Sequence, residues 1–401
     1  MKSNLQYETL EFNNLGNGKI RAILLKFFYF DFEVKELGSF DFCIENGAIS
    51  ADINQSKLEN KFAKVLTKGI SNLTSSLSGK PAIYLHKNSG IPLIGHNAFG
   101  IIDRNSSIIE LKPITGCNLN CIYCSVDEGK NSKKVADFII EKDYMVEETE
   151  KLVKFKAIDN IEINIGPNGE PLLYADIIPL IKDLKKIKCI ERISLNTNGV
   201  MLTKSLINEL AIAGLTQLNI SINSLDAVNA EKIAGGKYNS EHVQKMAEYA
   251  VKKLDVVIAP VWVPEYNDKN IPNIIKFGKE IGVKYVAIQN FLNYKFGRNP
   301  VKQKPMDTFY KELKNFETKY QTNLILDKSS FNVRDTKKLP VPFKKNEVIK
   351  VKLVSLGKLN SEKLAIGRER IVSVITDKKI GQTLKAKIIR VKHNIIVAKE
   401  V

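Results

Sequence analysis

The alternation of short apolar runs with amphipathic stretches over residues 107–320 constrains the fold of this chain more than any other feature. Short apolar runs predict buried strands, and the amphipathic stretches between them predict helices. Strands that alternate with helices form a parallel α/β sheet. The pattern gives six β–α units, and a full eight-stranded barrel would need more chain. The predicted strands are Ile108–Leu111, Ile161–Ile165, Ile193–Asn196, Leu218–Ile222, Val256–Val263 and Tyr285–Asn290.

Three of the five cysteines, Cys117, Cys121 and Cys124, lie within eight residues directly after the first predicted strand. Thiolates are preferred ligands of zinc and of iron–sulfur clusters, so this density predicts a metal site. The C-x3-C-x2-C spacing provides three ligands and leaves one coordination position free. Ligand groups in parallel α/β folds gather at the carboxyl ends of the strands, where this loop is expected.

A disulfide framework and a structural zinc site are both disfavoured for these cysteines. Disulfides do not fit an odd number of cysteines in a long chain without a secretory signal. A structural zinc site needs a fourth cysteine or histidine, and the next cysteine, Cys189, lies 65 residues beyond Cys124. An iron–sulfur cluster is therefore the favoured interpretation.

The run from Lys112 to Ser125, with Tyr123 directly before the third cysteine, resembles the signature of the radical S-adenosylmethionine (radical SAM) superfamily. The resemblance implies that Cys117, Cys121 and Cys124 each bind one iron of a 4Fe-4S cluster, and that the fourth iron binds S-adenosylmethionine. It further implies that the reduced cluster cleaves this cofactor to a 5′-deoxyadenosyl radical. The fold that it implies is a partial (β/α)6 barrel.

Polar motifs at the ends of the later strands fit the resemblance. Gly166-Pro167-Asn168-Gly169-Glu170-Pro171 is similar to the Gly-Gly-Glu-Pro motif of the family, with Asn168 in a glycine position. Asn196-Thr197-Asn198-Gly199 resembles the family's Thr-Asn-Gly motif. Ser221 and Asn223 are two residues apart and are expected on one strand face. The cofactor-binding residues that the resemblance implies are Tyr123, Gly169, Glu170, Pro171, Asn198, Ser221 and Asn223.

Some of these polar groups have structural alternatives. Asn198 could equally end its strand and cap the following helix, and the same alternative holds for Ser224, which is next to Asn223. Arg298, after the sixth predicted strand, could face a substrate or belong to a satisfied polar rim. The residues that carry out the reaction on the substrate are not identified by the sequence.

Charge is distributed unevenly along the chain. The formal net charge is +17, of which residues 339–401 contribute +10 and residues 1–105 contribute +2. The C-terminal segment also alternates apolar residues with lysines, which predicts a small antiparallel β-barrel. A basic barrel of this kind favours binding to a polyanion. The alternative is that the lysines only protect strand edges or increase solubility.

The segment Val341–Val401 resembles a TRAM domain, an RNA-binding barrel of the OB-like type found at the end of several RNA-modifying enzymes. The resemblance is carried by Gly357, Arg368, the run Ile371–Val374 and Gly381, although the usual glycine-rich loop has only Gly357. The RNA-binding residues that it implies are Lys350, Lys352, Arg368, Arg370, Lys385 and Lys387.

We therefore expect four segments: an N-terminal α+β domain of unknown role (1–105), the radical SAM partial barrel (106–325), a linker (326–338) and the basic barrel (339–401). Cys43 and Cys189 cannot supply the three ligands of a second cluster, which disfavours sulfur insertion. The predicted function is a cytoplasmic radical SAM enzyme that modifies RNA, above all tRNA, with electrons from a donor such as ferredoxin or flavodoxin and without a membrane partner.

Two alternatives stay open at this point. In the first, the enzyme modifies a protein or a small molecule and the basic barrel docks a partner. In the second, the chain is a non-enzymatic RNA-binding protein with a cysteine metal site.

Overall fold

A computed structural model describes residues 2–38, 42–166 and 168–401 of the chain. The N-terminal part has two small antiparallel sheets, ordered β1-β6-β5 and β2-β3-β4-β7, and one long helix. Phe12 and Phe62 meet edge to face, with ring centroids 5.3 Å apart, in the apolar core between the second sheet and the helix. The elements are β1 (Lys2–Leu5), β2 (Leu10–Gly16), β3 (Lys19–Leu24), β4 (Phe28–Glu33), β5 (Phe42–Glu45), β6 (Ala48–Asp52), α1 (Gln55–Ile70) and β7 (Thr74–Ser75).

The middle of the chain forms the predicted parallel α/β sheet. Its strands are β8 (Ala82–Leu85), β9 (Gly100–Asp103), β10 (Ile108–Lys112), β11 (Asp137–Ile140), β12 (Ile161–Ile165), β13 (Ile190–Thr197), β14 (Gln217–Ile220), β15 (Asp255–Ile258), β16 (Val261–Trp262), β17 (Tyr285–Val286) and β18 (Gln289–Asn290). The main sheet has the order β17-β15-β14-β13-β12-β10-β9, and every pair from β10 to β17 is parallel. The predicted partial barrel of six parallel strands is thereby confirmed.

Helices cover the outer face of this sheet, and short 3-10 turns lie in the loops. The helices are α2 (Lys142–Lys156), α3 (Ile177–Lys185), α4 (Lys204–Ala213), α5 (Ala227–Ala234), α6 (Ser240–Ala250), α7 (Ile271–Ile281) and α8 (Met306–Tyr320). The 3-10 turns are Val34–Glu36, Lys87–Ser89, Pro171–Leu173 and Ser329–Phe331. Within the described ranges, no helix combines the length and the apolar character that crossing a membrane would need.

Several elements differ from the sequence-based expectation. The fourth predicted strand ends at Ile220 instead of Ile222, because the chain turns there with a hydrogen bond from Ile222 N to the Ile220 carbonyl oxygen. The fifth predicted strand is interrupted at Pro260, which has no N–H to donate to a neighbour, so β15 and β16 join different partners. The sequence pattern does not predict helix α5, although Asp226 caps its first turn.

The predicted boundary after residue 105 falls inside the sheet. Strand β9 pairs antiparallel with β10 and so extends the main sheet from the N-terminal side. The predicted linker also packs on this edge, where Ser107 N donates to the Arg334 carbonyl oxygen at 2.7 Å. Strand β9 of the N-terminal segment and Arg334 of the predicted linker are therefore part of the β10 edge of the main parallel sheet.

The C-terminal segment is a closed five-stranded barrel in the order β19-β20-β21-β23-β22. Pairing is antiparallel except between β21 and β23, which run parallel. Apolar side chains point inward and lysines outward along β19, as the alternation predicted. The strands are β19 (Val348–Leu356), β20 (Glu362–Gly367), β21 (Arg370–Ile375), β22 (Thr383–Lys392) and β23 (Ile395–Glu400).

This barrel is fused to the rest of the molecule by its β20–β21 side. Leu364 and Ile371 belong to the main apolar core, and Ile371 N donates to the Ile94 carbonyl oxygen at 2.9 Å. Gly95 lies so close to Ile371 that a Cβ atom there would be 2.2 Å from its carbonyl oxygen. Glu362 contacts the buried His96 at 3.1 Å. The face formed by β20 and β21, the second and third strands of this barrel, is thus covered by the rest of the molecule (residues 1–338), called here the body.

Candidate functional site

A cavity of about 580 Å³ opens at the carboxyl ends of the parallel strands. All three clustered cysteines line it, and they share it with groups from the ends of the neighbouring strands. The sequence-predicted residues that line it are Cys117, Cys121, Tyr123, Cys124, Gly169, Glu170, Asn198 and Ser221. The fold therefore brings these residues, which are spread over about a quarter of the chain, to one cavity.

The cysteine loop is supported from behind by helix α5. Asn120 N donates to the Ala234 carbonyl oxygen and Ile122 N to the Ile233 carbonyl oxygen, both at 3.0 Å. Gly235 ends this helix at φ +65°, and a Cβ atom there would lie 2.1 Å from the Asn120 carbonyl oxygen. The backbone of the loop is thus fixed by a helix end that only glycine allows.

Backbone donors point at two of the sulfur atoms. Leu119 N lies 3.4 Å from Cys117 Sγ, and Glu128 N lies 3.3 Å from Cys124 Sγ. Donors of this kind stabilise thiolates and tune the potential of an iron–sulfur cluster. Three soft sulfur donors on one cavity wall, two of them with a backbone N–H group directed at the sulfur, fit a cluster that leaves one iron free for another ligand.

Burial raises the pKa of two of these thiols, those of Cys117 and Cys121. Burial, together with the nearby Glu170 carboxylate, raises the pKa of the Cys117 thiol far above its usual range. Burial and the neighbouring Cys124 raise the pKa of Cys121 to about 12. The positive charge of bound iron would reverse both shifts by displacing the protons. Among the residues that the structure describes, no three His, Cys, Asp or Glu side chains are arranged to hold a single metal ion.

Glu170 joins the end of β12 to the end of β13. Its buried carboxylate accepts hydrogen bonds from Thr197 Oγ1 at 2.7 Å, Asn198 N at 2.8 Å and Leu172 N at 3.1 Å. Burial raises the pKa of Glu170 to about 7, while these hydrogen bonds act in the opposite direction. The carboxylate is thus held rigidly on the cavity wall, where it can accept hydrogen bonds from an ammonium group.

The glycine before Glu170 is required by a close backbone approach. Gly169 has φ +77°, and a Cβ atom there would lie 2.3 Å from the carbonyl oxygen of Gly116, next to the first cysteine. Asn168, at the position where the family has glycine, is buried and donates to the Ala98 carbonyl oxygen at 2.9 Å. Pro167 of the motif lies outside the described residues. Pro171 is buried at the start of its 3-10 turn.

Two of the predicted cofactor residues hold other groups in place. Asn223 donates to Tyr123 Oη at 2.7 Å and accepts from Val261 N at 2.8 Å, so its amide orients the tyrosine. Ser221 and Asn223 lie after β14 and not on one strand face, because the strand ends at Ile220. Asn198 donates to Asn118 Oδ1 at 2.7 Å and so ties the end of β13 to the cysteine loop.

Arg298, whose role the sequence left open, contacts the cysteine loop. Its guanidinium pairs with Asp127 at 2.8 Å and donates to the carbonyl oxygens of Cys121 at 3.1 Å and Glu128 at 2.8 Å. Its backbone N also donates to the Cys124 carbonyl oxygen at 2.9 Å. Arg298 is therefore a positioning residue of the cysteine loop.

Glu128 was not predicted as a site residue, because a single acidic residue after the cysteines does not belong to a recognisable sequence motif. Its buried carboxylate accepts from Gly116 N at 3.1 Å and pairs with the buried Lys134. It also pairs with Lys358 of the C-terminal barrel at 2.6 Å. Lys358 further donates to the Val126 carbonyl oxygen at 2.6 Å. A charged network thus connects the barrel directly to the cysteine loop.

The predicted RNA-binding residues fall into two groups. Lys350 and Lys385 are exposed and directly opposite each other across β19 and β22. Lys352 and Lys387 lie on the same outer face, and Lys387 is opposite Lys399 of β23, which the sequence did not single out.

The two arginines are used within the chain. Arg368 pairs with Glu347 at 2.5 Å and lies over the Phe343 ring, with its guanidinium carbon 4.8 Å from the ring centroid. Arg370 is half-buried and donates to the Glu369 carbonyl oxygen at 2.9 Å. Both guanidinium groups thus pack the end of the barrel.

Comparison with known proteins shows to which superfamily the chain belongs. Residues 111–278 match the model of the Radical SAM superfamily. The uncharacterized protein MJ0103 of Methanocaldococcus jannaschii is 37% identical over 360 residues, which cover 82% of each chain. GTP 3′,8-cyclase of Listeria welshimeri is 33% identical over 190 residues, which cover 46% of this chain and 54% of the cyclase. The chain therefore matches only about half the length of the cyclase.

Among solved structures, SuiB of Streptococcus suis is similar at a TM-score of 0.43, with 16% identity over 79% of this chain and 70% of that chain. TYW1 with a lysine-pyruvate adduct bound is similar at a TM-score of 0.42, with 18% identity over 59% of this chain and 80% of that chain. The family match covers the cysteine loop, the strand-end motifs and strands β12 to β15 of the parallel sheet. The chain belongs to the radical SAM superfamily.

Proposed function

We propose that Cys117, Cys121 and Cys124 hold the 4Fe-4S cluster that enzymes of this superfamily use together with S-adenosylmethionine. The support is their common position on one cavity wall and the backbone N–H donors directed at the sulfur atoms of Cys117 and Cys124. We further propose that Glu170 receives the amino group of the cofactor, and that Ser221 and Tyr123 contact the rest of it along the same cavity.

The chain's contribution to the reaction follows from this arrangement. When bound and reduced, the cluster supplies the electron that cleaves S-adenosylmethionine to methionine and a 5′-deoxyadenosyl radical. Glu170 fixes the amino end of the cofactor because its own carboxylate is held by three hydrogen bonds. Asn223 keeps Tyr123 in one orientation on the cavity wall. These residues place the cofactor within reach of a substrate, which replaces a random encounter.

We infer that this substrate is part of an RNA molecule, and specifically of a tRNA. The observation that carries the inference is the outer face of β19, β22 and β23, called here the lysine face: Lys350, Lys352, Lys385, Lys387 and Lys399. No ion pair joins any of these five lysines to a carboxylate of the described residues. Two pairs, Lys350 with Lys385 and Lys387 with Lys399, are directly opposite each other, and like charges in such positions destabilise a sheet. Binding to a polyanion would offset this repulsion.

The position of this face differs from the usual nucleic-acid site of such barrels. OB-type barrels bind oligonucleotides mainly on strands two and three and on the adjoining loops. Here β20 and β21 pack on residues 94–96, and the loop that follows β19 contacts the cysteine loop through Lys358. The lysines of the lysine face are exposed on the outer side of β19, β22 and β23, which is why we assign RNA binding to that side.

The RNA assignment is tested by titrating labelled tRNA with the full-length protein at several salt concentrations. Contact with phosphates releases counterions, so the logarithm of the affinity should fall linearly with the logarithm of salt. Five lysines in contact would give a slope of about −3 to −5. Absence of binding, or an affinity that does not change with salt, would overturn the assignment.

A second candidate is chemistry on a free nucleotide. It is favoured by the similarity over 190 residues to an enzyme named GTP 3′,8-cyclase. In that case the cavity would take the whole substrate and the lysine face would have no part in turnover. Formation of 5′-deoxyadenosine with GTP but not with tRNA would favour this candidate.

Replacing Gly169 by alanine should displace the cysteine loop. The added Cβ atom would meet the Gly116 carbonyl oxygen, and the left-handed backbone alone costs an alanine about 1–2 kcal/mol. We expect G169A to incorporate much less iron on anaerobic reconstitution and to unfold at a lower temperature. G236A is the matched control, since a Cβ atom at Gly236 has nothing within 4 Å. Equal iron content in the two variants would show that the close approach is unimportant.

Replacing Arg298 by alanine should loosen the same loop from the other side. The change removes one ion pair and two hydrogen bonds to backbone oxygens. Each hydrogen bond to a charged group contributes about 1.5–3 kcal/mol to stability. We expect R298A to lose iron faster under a chelator than the wild type, while R104A, which breaks an exposed pair with Glu110, should not. A chelation rate unchanged in R298A would contradict the positioning role.

A further inference from the structure

The mouth of the cavity carries aromatic side chains that the proposed cluster and cofactor roles do not use. Tyr294 (48% exposed) and Tyr310 (45% exposed) line the cavity together with Met306. Phe296 (58% exposed) stands on the same loop as Tyr294. No hydrogen bond from the described residues reaches either tyrosine hydroxyl. Large apolar side chains exposed together beside a cavity mark an interaction surface.

The loop that carries Tyr294 and Phe296 is held by hydrogen bonds at its base and at its tip. Asn293 and Gln303 exchange hydrogen bonds at 3.0 and 2.8 Å across its base. Asn299 closes the turn at its tip by donating to the Tyr294 carbonyl oxygen at 2.8 Å. Gly297 lies against the cysteine loop, where a Cβ atom would be 2.9 Å from the Ser125 carbonyl oxygen. A surface held in one conformation binds with a smaller entropic cost.

The charges around the aromatic side chains favour a nucleic acid over a protein. Residues 291–312 contain five basic and two acidic side chains. Lys304 pairs with Glu312, whereas Lys295 and Lys302 are exposed and have no carboxylate partner among the described residues. Protein–protein interfaces are depleted in lysine. Surfaces that bind single-stranded nucleic acid combine aromatic faces for the bases with positive charge for the backbone.

We propose that Tyr294, Phe296 and Tyr310 form a stacking platform for unpaired bases next to the target nucleotide of an RNA loop, with Lys295 and Lys302 contacting its phosphates. The inference rests on the proposed RNA function and adds the structural class of RNA that reaches the cavity. A base inside a duplex is out of reach of a buried reactive centre and must leave its stack. Unpaired bases stack readily on aromatic side chains. The lysine face would bind the RNA backbone, and the platform would select a loop.

The test compares two RNA probes on the full-length protein: a hairpin with an unpaired loop and a blunt duplex with the sequence of its stem. Two double variants are compared with the wild type. Y294L/Y310L removes the two aromatic rings but keeps apolar side chains. Y294F/Y310F keeps both aromatic rings and removes only the hydroxyl groups. We expect the leucine variant to bind the hairpin about tenfold or more weakly than the wild type, because each stacked base contributes substantially. Its affinity for the duplex, and both affinities of the phenylalanine variant, should not change.

The outcomes separate this inference from the proposed function. If the wild type binds the hairpin and the duplex equally, or if the leucine variant keeps the wild-type preference, RNA binding stands and the platform is refuted. The patch would then belong to a protein partner. If the wild type binds neither probe, the proposed RNA function fails, and the platform fails with it. Unchanged thermal unfolding of both variants, which alter only exposed side chains, checks that the fold is intact.

Discussion

Replacing any one of Cys117, Cys121 and Cys124 by alanine is expected to abolish both the iron–sulfur absorbance and the reductive cleavage of S-adenosylmethionine. Each of the three thiols would hold a different iron, so no neighbour can take over the role of a lost one. Among the described residues, no other cysteine lies on the cavity wall. Anaerobic reconstitution, followed by iron analysis and measurement of 5′-deoxyadenosine, tests this expectation.

C189A provides the matched control for these variants. Cys189 precedes β13, and its carbonyl oxygen accepts from Ile161 N at the amino end of β12, so it lies at the opposite end of the sheet from the cavity. Its loss should leave the iron content and the product yield at wild-type values. A cysteine-loop variant with the wild-type complement of iron would refute the ligand assignment. A wild-type protein that binds zinc but makes no 5′-deoxyadenosine would favour the non-enzymatic alternative.

Neutralising the lysine face should greatly weaken the binding of tRNA. The variant K350Q/K352Q/K385Q/K387Q removes four of the five lysines of this face, and the magnitude of the salt slope should fall by about 3. The affinity at low salt should fall roughly tenfold or more. Because the change also removes the repulsion between Lys350 and Lys385, the variant should be at least as stable to heat as the wild type.

A charge-matched control distinguishes the effect of the lysines' position on tRNA binding from the effect of their number. The variant K57Q/K64Q/K182Q/K253Q removes the same formal charge from exposed sites on the helices and loops of the body. It should keep nearly the wild-type affinity and slope, apart from a small general effect of net charge. Equal losses in the two quadruple variants would mean that tRNA responds only to the total charge, and the lysine face would lose its assigned role.

The architecture was predictable because its signals are local and periodic. Six apolar runs at β–α spacing specify the parallel sheet, and the sheet in turn specifies that the groups after β10, β12, β13 and β14 meet at one edge. The alternation of apolar residues and lysines from Ile349 to Leu353 specified which side of β19 faces out. In both cases the period of the sequence matches the period of the backbone.

The contacts that could not be predicted join residues far apart in sequence. Arg298 reaches Cys121 across 177 positions, and Lys358 reaches Glu128 from another barrel. Both residues lie in loops, where no periodic pattern in the sequence indicates which residue a basic side chain will contact. The pairing of Arg368 with Glu347 and its position over the Phe343 ring are likewise not indicated by its charge alone. The covering of β20 and β21 by residues 94–96 was equally absent from the sequence pattern.

Mass analysis of tRNA nucleosides tests the proposed RNA modification most directly. Bulk tRNA from a strain that lacks the gene for this chain is incubated anaerobically with the reconstituted protein, S-adenosylmethionine and a reductant, with C121A in parallel. We predict that a nucleoside of altered mass appears with the wild type only, in step with 5′-deoxyadenosine. A nucleoside profile that stays unchanged while the same preparation cleaves S-adenosylmethionine in the presence of GTP would contradict this prediction.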